Sequence, residues 1–424
     1  MRLALMDCNN FYASCEKAFA PHLATRPVVV LSNNDGCVIA RSKEAKEMGI
    51  PMGAPEFKQR EAFKRLGVTV FSSNYALYGD MSARVMATAA ALTPEMEVYS
   101  IDEAFLNLTG LPDPAGHARR IRDTVLRWTG IPVSIGIGST KTLAKAANKL
   151  AKQRPDFDGV LDLPEGPPLE ALLAGLDVED VWGIGRRHGA RLKARGVRSA
   201  LEFMRLPRDF VRKTMTVVGL HTWLELHGTP CSRLEEVPAP KKAIVSSRSF
   251  GRPVERLEEM EEALAQYVSR AAEKLRAQKG LAGTILAFVQ TNTFIASQPQ
   301  YSAAHSLALN PPTSHTPRLI RRGLEALRHI FRPGFRYKKV GVMLSGLESA
   351  AGAQLTLLAQ PDSRGETLMA ALDRVNAKWG RGTIRPAAAG VEQPWRMRQA
   401  QRSPCYTTSW GELPVALAQE KAGW

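Results

Sequence analysis

Cysteine is scarce and never arranged in pairs. Cys8, Cys15, Cys37, Cys231 and Cys405 are odd in number and show no C-x-x-C spacing, which excludes a disulfide framework and a cysteine-based zinc site. Long apolar runs are missing as well. The run at residues 3–6 is cut by Asp7, far short of the roughly 20 residues that a membrane span requires. No signal-peptide pattern is visible, so a reduced, cytoplasmic protein with no membrane partner is expected. Acid is in short supply too: 41 Asp and Glu stand against 57 Lys and Arg, a formal net charge of +16. Such a surplus says nothing of fold but favours polyanionic partners, nucleic acid first among them.

What is present fits a soluble chain of about three domains, with 44% hydrophobic and 23% charged residues over 424 positions. A short apolar strand ends at Asp7. Helix follows at residues 11–19, then two strand-like runs joined by Asn33, Asn34, Asp35 and Gly36, residue types that tolerate a tight turn. Helices are predicted at 43–48, 82–92 and 117–128, and a strand at 132–138 leads into a capped helix ending near Lys152. This order predicts an α+β domain with helices on one face of a mixed sheet. Composition changes at 164–168. Residues 169–228 read as helical, 237–240 as a linker, and 241–347 as strands mixed with helices (259–278 and 317–331). The last ~45 residues are rich in Pro, Gln and Arg, and their structure is expected to depend on a partner.

The segment V-Y-S-I-D-E-A-F-L-N-L, residues 98–108, sets a problem. Its composition is that of a strand, yet Asp102 and Glu103 are adjacent, and in an uninterrupted strand they would point to opposite faces. One would then be buried without a partner, at prohibitive cost. Either the segment bends at residues 100–103 and puts the acids at the apex, or a cation sits there. Asp7 is the natural third carboxylate, and three hard oxygen donors at neighbouring strand ends suit Mg²⁺. Two such ions about 4 Å apart serve phosphoryl transfer. A solvated turn would also hold a lone Asp-Glu pair. The nearby G-I-G-S-T-K-T, residues 136–142, lacks the Gly that must precede the Lys of a phosphate loop and reads as strand, cap and helix.

Several motifs together carry a family resemblance. M-D-C-N-N-F-Y-A-S-C-E at 6–16 and Y-S-I-D-E-A-F at 99–105 resemble the signature segments of Y-family (translesion) DNA polymerases. S-N-N-D-G-C-V-I-A-R at 32–41, F-S-S-N-Y at 71–75 and V-W-G-I-G-R-R at 181–187 are similar to the UmuC branch, the catalytic subunits of bacterial DNA polymerase V and its plasmid-borne relatives. The likeness runs over nearly the whole chain. It implies an α+β multidomain right-hand polymerase: palm (mixed sheet plus helices) at 1–20 and 76–165, small fingers at 21–75, a helical thumb with helix-hairpin-helix at 166–237, an α/β little finger at 241–348, and a clamp-binding linker with a UmuC-type C-terminal segment at 349–424.

The resemblance also implies roles. Asp7 and Asp102 would hold two Mg²⁺ ions, Glu103 would complete the catalytic-ion site, and the Cys8 carbonyl would be a further ligand. Lys46 and Lys152 would grip the β- and γ-phosphates of a dNTP, with Lys43 beside them where the family often has Tyr. Ala40 stands where many relatives put a hydroxyl. Phe11 and Tyr12 would lie under the sugar, Tyr12 crowding a ribose 2′-OH. Ten Lys or Arg against two acids between Trp182 and Lys213, around Gly183 and Gly185, mark a DNA-backbone site. Gly183, Gly185, Arg186, Arg187, Arg191 and Lys193 carry it, with Trp182 where the motif usually has Pro. A second basic stretch spans 318–339. Neither stretch suggests base reading, so the expected ligand is primer-template DNA of any sequence.

The implied activity is error-prone, template-directed nucleotidyl transfer in SOS mutagenesis, in the bacterial cytoplasm near the nucleoid, with a processed UmuD dimer, RecA and the sliding clamp as partners. An inert DNA-binding scaffold, or another two-metal enzyme such as a nuclease or nucleotidyl cyclase, would share some of these features. Gln354, Leu355, Leu357 and Leu358 resemble a clamp-docking peptide in which Leu358 replaces the aromatic anchor. Deleting residues 354–358 is expected to reduce clamp-stimulated synthesis and spare distributive synthesis; equal stimulation in primer-extension assays would remove this assignment.

Overall fold

The structure is a computed structural model and describes residues 1–93, 95–235, 240–350 and 363–415. The chain begins with β1 (Leu3–Cys8) and α1 (Phe11–Ala18), then β2 (Val28–Leu31), β3 (Val38–Arg41), α2 (Lys43–Glu47), α3 (Glu56–Arg65) and β4 (Thr69–Ser72). There follow α4 (Tyr75–Leu92), β5 (Met96–Val98), β6 (Glu103–Asn107), α5 (Pro114–Thr129), β7 (Val133–Gly138), α6 (Lys141–Gln153) and β8 (Val160–Asp162). Four helices come next: α7 (Pro167–Ala174), α8 (Arg186–Lys193), α9 (Ala200–Met204) and α10 (Arg208–Leu226). The remainder holds β9 (Ile244–Val254), α11 (Leu257–Ala277), β10 (Gly280–Thr291), β11 (Ser302–Thr313), α12 (Thr316–Ile330), β12 (Tyr337–Ser349) and α13 (Ser363–Trp379). Two compact units result. One comprises residues 1–32, 36–238 and 401–424, the other 33–35 and 239–400. The clamp-like peptide at 354–358 lies outside the described residues. No helix among the described residues is long and apolar enough to cross a membrane.

The first unit is organised by a five-stranded sheet in the order β5-β6-β1-β7-β8, antiparallel except for the β7–β8 pair. Successive side chains of central β1 alternate between faces. Ala4, Met6 and Cys8 enter a core with Met81 and Val85 of α4 and Ile121 and Val125 of α5. Leu5 packs instead with Phe105 and Ala144 of α6. Helices therefore cover both faces, not one as the element order suggested. The physical reason is visible in β1 and β7, whose nearly unbroken apolar sequence is that of strands buried on two sides. By the same alternation Asp7 lies on the α6 side.

Helix α6 comes unusually close to the sheet because β7 offers no side chains there. A Cβ at Gly136 would lie 1.9 Å from the Asn148 amide nitrogen, and one at Gly138 would lie 2.7 Å from the Leu143 Cβ. Thr140 caps the helix by accepting from the Leu143 amide at 3.2 Å. The G-x-G-S-T-K segment is thus a strand, a cap and a helix start. Helices α7 to α10 form a core that also takes in Leu143, Ala147 and Leu150 of α6. A smaller sheet, β3-β2-β4, has its own core of Val29, Leu31, Val38, Ala45, Ile50 and Phe63. The second unit is an antiparallel sheet, β11-β10-β12-β9, whose inward residues Ile285, Ala287 and Val289 pack on Leu264 and Val268 of α11 and Leu319 and Leu327 of α12.

The α6 contact yields a stability test. Gly136→Ala forces α6 off the sheet and is expected to cost roughly 2–3 kcal/mol in chemical denaturation. Gly185→Ala, where an added Cβ meets nothing within 4 Å, is expected to stay within about 0.5 kcal/mol. Equal stability of the two variants would contradict the close approach.

Candidate active site

Strand register brings the acids together. Asp7 of β1 is the cross-strand partner of Glu103 of β6, and the Cys8 amide donates to the Asp102 carbonyl at 2.8 Å. The 98–108 segment is a hairpin, with β5 pairing β6 and the turn falling before Glu103. Ser100 closes that turn. Its hydroxyl donates to Asp102 Oδ1 at 2.6 Å and accepts from the Glu103 amide at 3.0 Å. The Tyr99 and Ser100 amides both donate to the Glu103 carbonyl, at 3.0 and 3.1 Å. The bend therefore places both carboxylates beside Asp7, which answers how one apolar segment accommodates two adjacent charges.

The facing helix supplies the countercharge. Lys152 pairs with Asp7, and Lys145 Nζ lies 2.9 and 3.0 Å from the two oxygens of Glu103. Asn148, between them on α6, donates to the carbonyls of Leu5 and Ser134 at 3.2 and 2.7 Å and fixes the helix on the sheet. Among the described residues no three His, Cys, Asp or Glu side chains already form a ligand cluster; each carboxylate takes a lysine or a hydroxyl instead. Two of the three carboxylates thus pair with lysines, and Asp102 takes the Ser100 hydroxyl. Burial pushes the Asp7 carboxyl up to about 6, although Lys152 pulls it down, and Glu103 and Asp102 add to the rise. Hard oxygen donors of this kind fit a divalent cation. The Cys8 thiol is buried in the core, and burial with the Asp7 charge raises it far above the ordinary thiol range. The oxygen that Cys8 offers is its carbonyl.

Asp7, Glu103, Lys145, Lys149 and Lys152 line a cleft of about 520 Å³ whose other wall is residues 179–185. In that wall Gly183 has φ +91, and its missing Cβ leaves room for Thr222 Oγ1. Gly185 is the exposed N-cap of α8, and Ile184 between them is buried in the helical core. Trp182 stands edge-on to Tyr99 at 5.9 Å and tilted on Phe105 at 6.2 Å, so the residue in the place of the usual Pro packs against the acidic hairpin. Lys145 Nζ lies 4.6 Å from the Tyr99 ring centre and 5.4 Å from that of Trp182. Arg186, Arg187 and Arg191 are exposed. Lys193 is engaged by Asp177 at 3.0 Å and Glu179 at 3.5 Å.

Tyr12 stands near enough to Asp102 to feel its charge. Its ring stacks on Tyr78 at 4.4 Å and 14° and meets Tyr75 edge-on at 6.2 Å. Burial, then Tyr75 and Asp102, raise its hydroxyl above the ordinary phenol range. Phe11 is only 4% exposed and belongs to the core, so of the two aromatics Tyr12 is the one that faces outward. Lys46 is held below its usual range first by burial, then by Arg41, Lys152 and Lys149; these cations are therefore neighbours. Lys43 is exposed and sits 3.9 Å from Glu47. Arg41 Nε is buried with no hydrogen-bond partner, a donor suited to an anion. Sequence reasoning named Lys46 and Lys152 but not Arg41, Lys145 or Lys149. The i, i+4 spacing of Lys141, Lys145 and Lys149 on one helix was the available signal.

Residues 6–149 match the impB/mucB/samB family, 241–357 its C-terminal domain, and 366–416 a domain of unknown function, DUF4113. The chain is 47% identical to the protein UmuC of Salmonella typhimurium over 97% of its own length and 99% of that protein's. It is 44% identical to the protein ImpB of Salmonella typhimurium, with the same coverage. Among solved structures it is similar to a Y-family DNA polymerase chimera, with a TM-score of 0.66, 19% identity, and coverage of 82% of this chain and 100% of that one. Palm, fingers, thumb and little finger are thus the parts of the fold.

The lysine–carboxylate pairing makes its own prediction. Lys145→Met leaves Glu103 largely buried without its ammonium partner and is expected to cost about 1–3 kcal/mol. Lys149→Met breaks the more exposed 2.7 Å pair with Asp180 and is expected to cost under about 1 kcal/mol. Equal losses in thermal melts would show that Lys145 carries no special load.

Proposed function

Because the chain belongs to the impB/mucB/samB family, we infer that it is an error-prone translesion DNA polymerase, joining dNTPs to a primer 3′-OH opposite a template strand. The observation that carries the reading is the register of Asp7 against Glu103, each paired with a lysine of α6, with Asp102 in the adjoining turn. Asp7, Asp102, Glu103 and the Cys8 carbonyl would hold two Mg²⁺ ions, which when bound supply the Lewis-acid charge that phosphoryl transfer needs. Ser100 orients Asp102 and Lys145 orients Glu103 while the site is assembled. Lys46 and Lys152, together with Arg41, receive the triphosphate. Tyr12 lies under the sugar and crowds a 2′-OH, whereas Phe11 supports it from the core.

The cleft that joins the acids to residues 181–185 suits a primer strand. Backbone N–H groups at Gly183 and Gly185 approach one of its phosphates, and Arg186, Arg187 and Arg191 supply charge without reading bases. Lys193 holds the turn through Asp177 and Glu179. We assign palm to 1–20 and 76–165, fingers to 21–75, thumb to 166–237, little finger to 241–348, and a clamp-binding linker with the C-terminal segment to 349–424. A cytoplasmic setting near the nucleoid, and a processed UmuD dimer, RecA and the sliding clamp as partners, follow from the family alone.

Primer extension on a template with an abasic site tests the activity. The wild type is expected to lengthen the primer past the lesion, and Asp102→Ala to lose at least about 10³-fold in rate, the scale of losing an electrostatic group at the reacting centre. Shortening of the primer would identify a nuclease, and no change of the primer an inert scaffold.

A further inference from the structure

The F-S-S-N-Y motif at 71–75 has no task in the reaction above, yet it is tightly engaged. Residues 401–406, from a matched region of unknown function, lie along it within the same compact unit. The Ser72 amide donates to the Gln401 carbonyl at 3.0 Å, and the Gln401 amide to Ser72 Oγ at 2.9 Å. Asn74 caps α4 by accepting from the Leu77 amide at 3.3 Å. Its amide nitrogen meanwhile donates to the Ser403 carbonyl, Ser403 Oγ and the Pro404 carbonyl at 2.9, 3.0 and 3.1 Å. Tyr406 stacks on Phe19 just beyond α1, at 4.9 Å and 15°. The segment thus grips the start of α4 and the end of α1 at once.

Between those helices sits a buried acid. Glu16 of α1 is 1% exposed, and its Oε1 accepts both the Tyr78 hydroxyl at 2.6 Å and the Ser403 hydroxyl at 3.0 Å. Burial pushes this carboxyl up to about 7, with the two hydroxyls as the opposing influences. Such a group is costly to bury, and apolar packing alone does not require it. Its position matters because Tyr78, the residue it holds, is the ring on which Tyr12 stacks. The connected order is Asn74 to Ser403 to Glu16 to Tyr78 to Tyr12.

We propose that residues 401–406 are a positioning element for Tyr12. Ser403 and Tyr78 share the Glu16 carboxylate, the Tyr78 ring is thereby fixed as a wall, and the tilt of Tyr12 under the incoming sugar is set by that wall. Sugar selectivity then depends on a segment far along the chain that touches neither nucleotide nor metal. The inference rests on the reading of Tyr12 as the group that crowds a 2′-OH.

The test is single-nucleotide incorporation with dNTP and rNTP, scored as the ratio of the two kcat/KM values, alongside thermal melts. Ser403→Ala and Tyr78→Phe are each expected to lower that ratio about fivefold, the scale of one lost hydrogen bond, mainly by improving rNTP use. Glu16→Gln keeps an acceptor for both hydroxyls and is expected to retain the wild-type ratio, whereas Glu16→Leu is expected to behave like Tyr78→Phe. A merely structural role would lower the melting temperature and both activities together while the ratio stayed fixed, and that result overturns the proposal. If Tyr12→Ala relaxes selectivity and the Ser403 and Tyr78 variants do not, the positioning chain fails and the sugar gate stands. If Tyr12→Ala itself leaves selectivity unchanged, the gate fails and the proposal falls with it.

Discussion

Two carboxylates placed opposite each other on neighbouring strands are the constraint from which the rest follows. Antiparallel register between β1 and β6 makes Asp7 and Glu103 partners, and like charges so placed repel unless something positive is near. The molecule meets that demand locally, with a helix that lays ammonium groups over the pair, while a serine hydroxyl bonds Asp102 in the adjoining turn. Charge compensation by movable lysines differs from compensation by fixed arginines. A lysine ammonium is a point charge on a flexible stem and can leave a carboxylate when a divalent cation or a triphosphate arrives.

Helix α6 links most of the parts. Gly136 and Gly138 bring it against β7, Asn148 ties it to two sheet carbonyls, and its apolar side continues into the core of the thumb helices. Lys149 also reaches Asp180 in the segment leading to the Gly183 turn. One helix therefore sets both the distance of the cations from the acids and the place of the Gly183 turn. Geometry of this sort favours reactions in which positioning and electrostatics supply most of the rate.

Much of this was legible in the sequence, and the reasons are specific. A bend at residues 100–103 was one of the readings that avoid burying Asp102 and Glu103 on two faces, and the structure has that bend. Helix α6 follows from a cap expected at Ser139 or Thr140, and the structure uses Thr140. By contrast, β4 and α3 left little trace. The strand has four residues, and the helix buries only Glu56 and Phe63, too few positions for a period to register. Helices on both sheet faces were missed because element order does not encode the side on which a connection passes. Lys145 was missed because its partner Glu103 is 42 residues away in sequence. The i, i+4 spacing of Lys141, Lys145 and Lys149 signals a row of cations on one helix face, but the acid that this row meets is set by strand register. The tail was expected to need a partner for its structure, yet residues 401–406 find one in their own chain, through Ser72, Asn74 and Glu16. Hydrogen bonds between segments more than 300 residues apart have no local signature.

The central claim is that Asp7, Asp102 and Glu103 form one metal-binding centre. Crystallography of the protein with primer-template DNA, a non-hydrolysable dNTP and Mn²⁺ tests it most directly, since anomalous scattering locates the ions without assumption. The account predicts Mn²⁺ within about 2.0–2.3 Å of carboxylate oxygens of Asp7 and Asp102, with Lys152 turned from Asp7 toward the triphosphate. Ions bound elsewhere, with the Lys152–Asp7 and Lys145–Glu103 pairs intact beside a bound nucleotide, would contradict it.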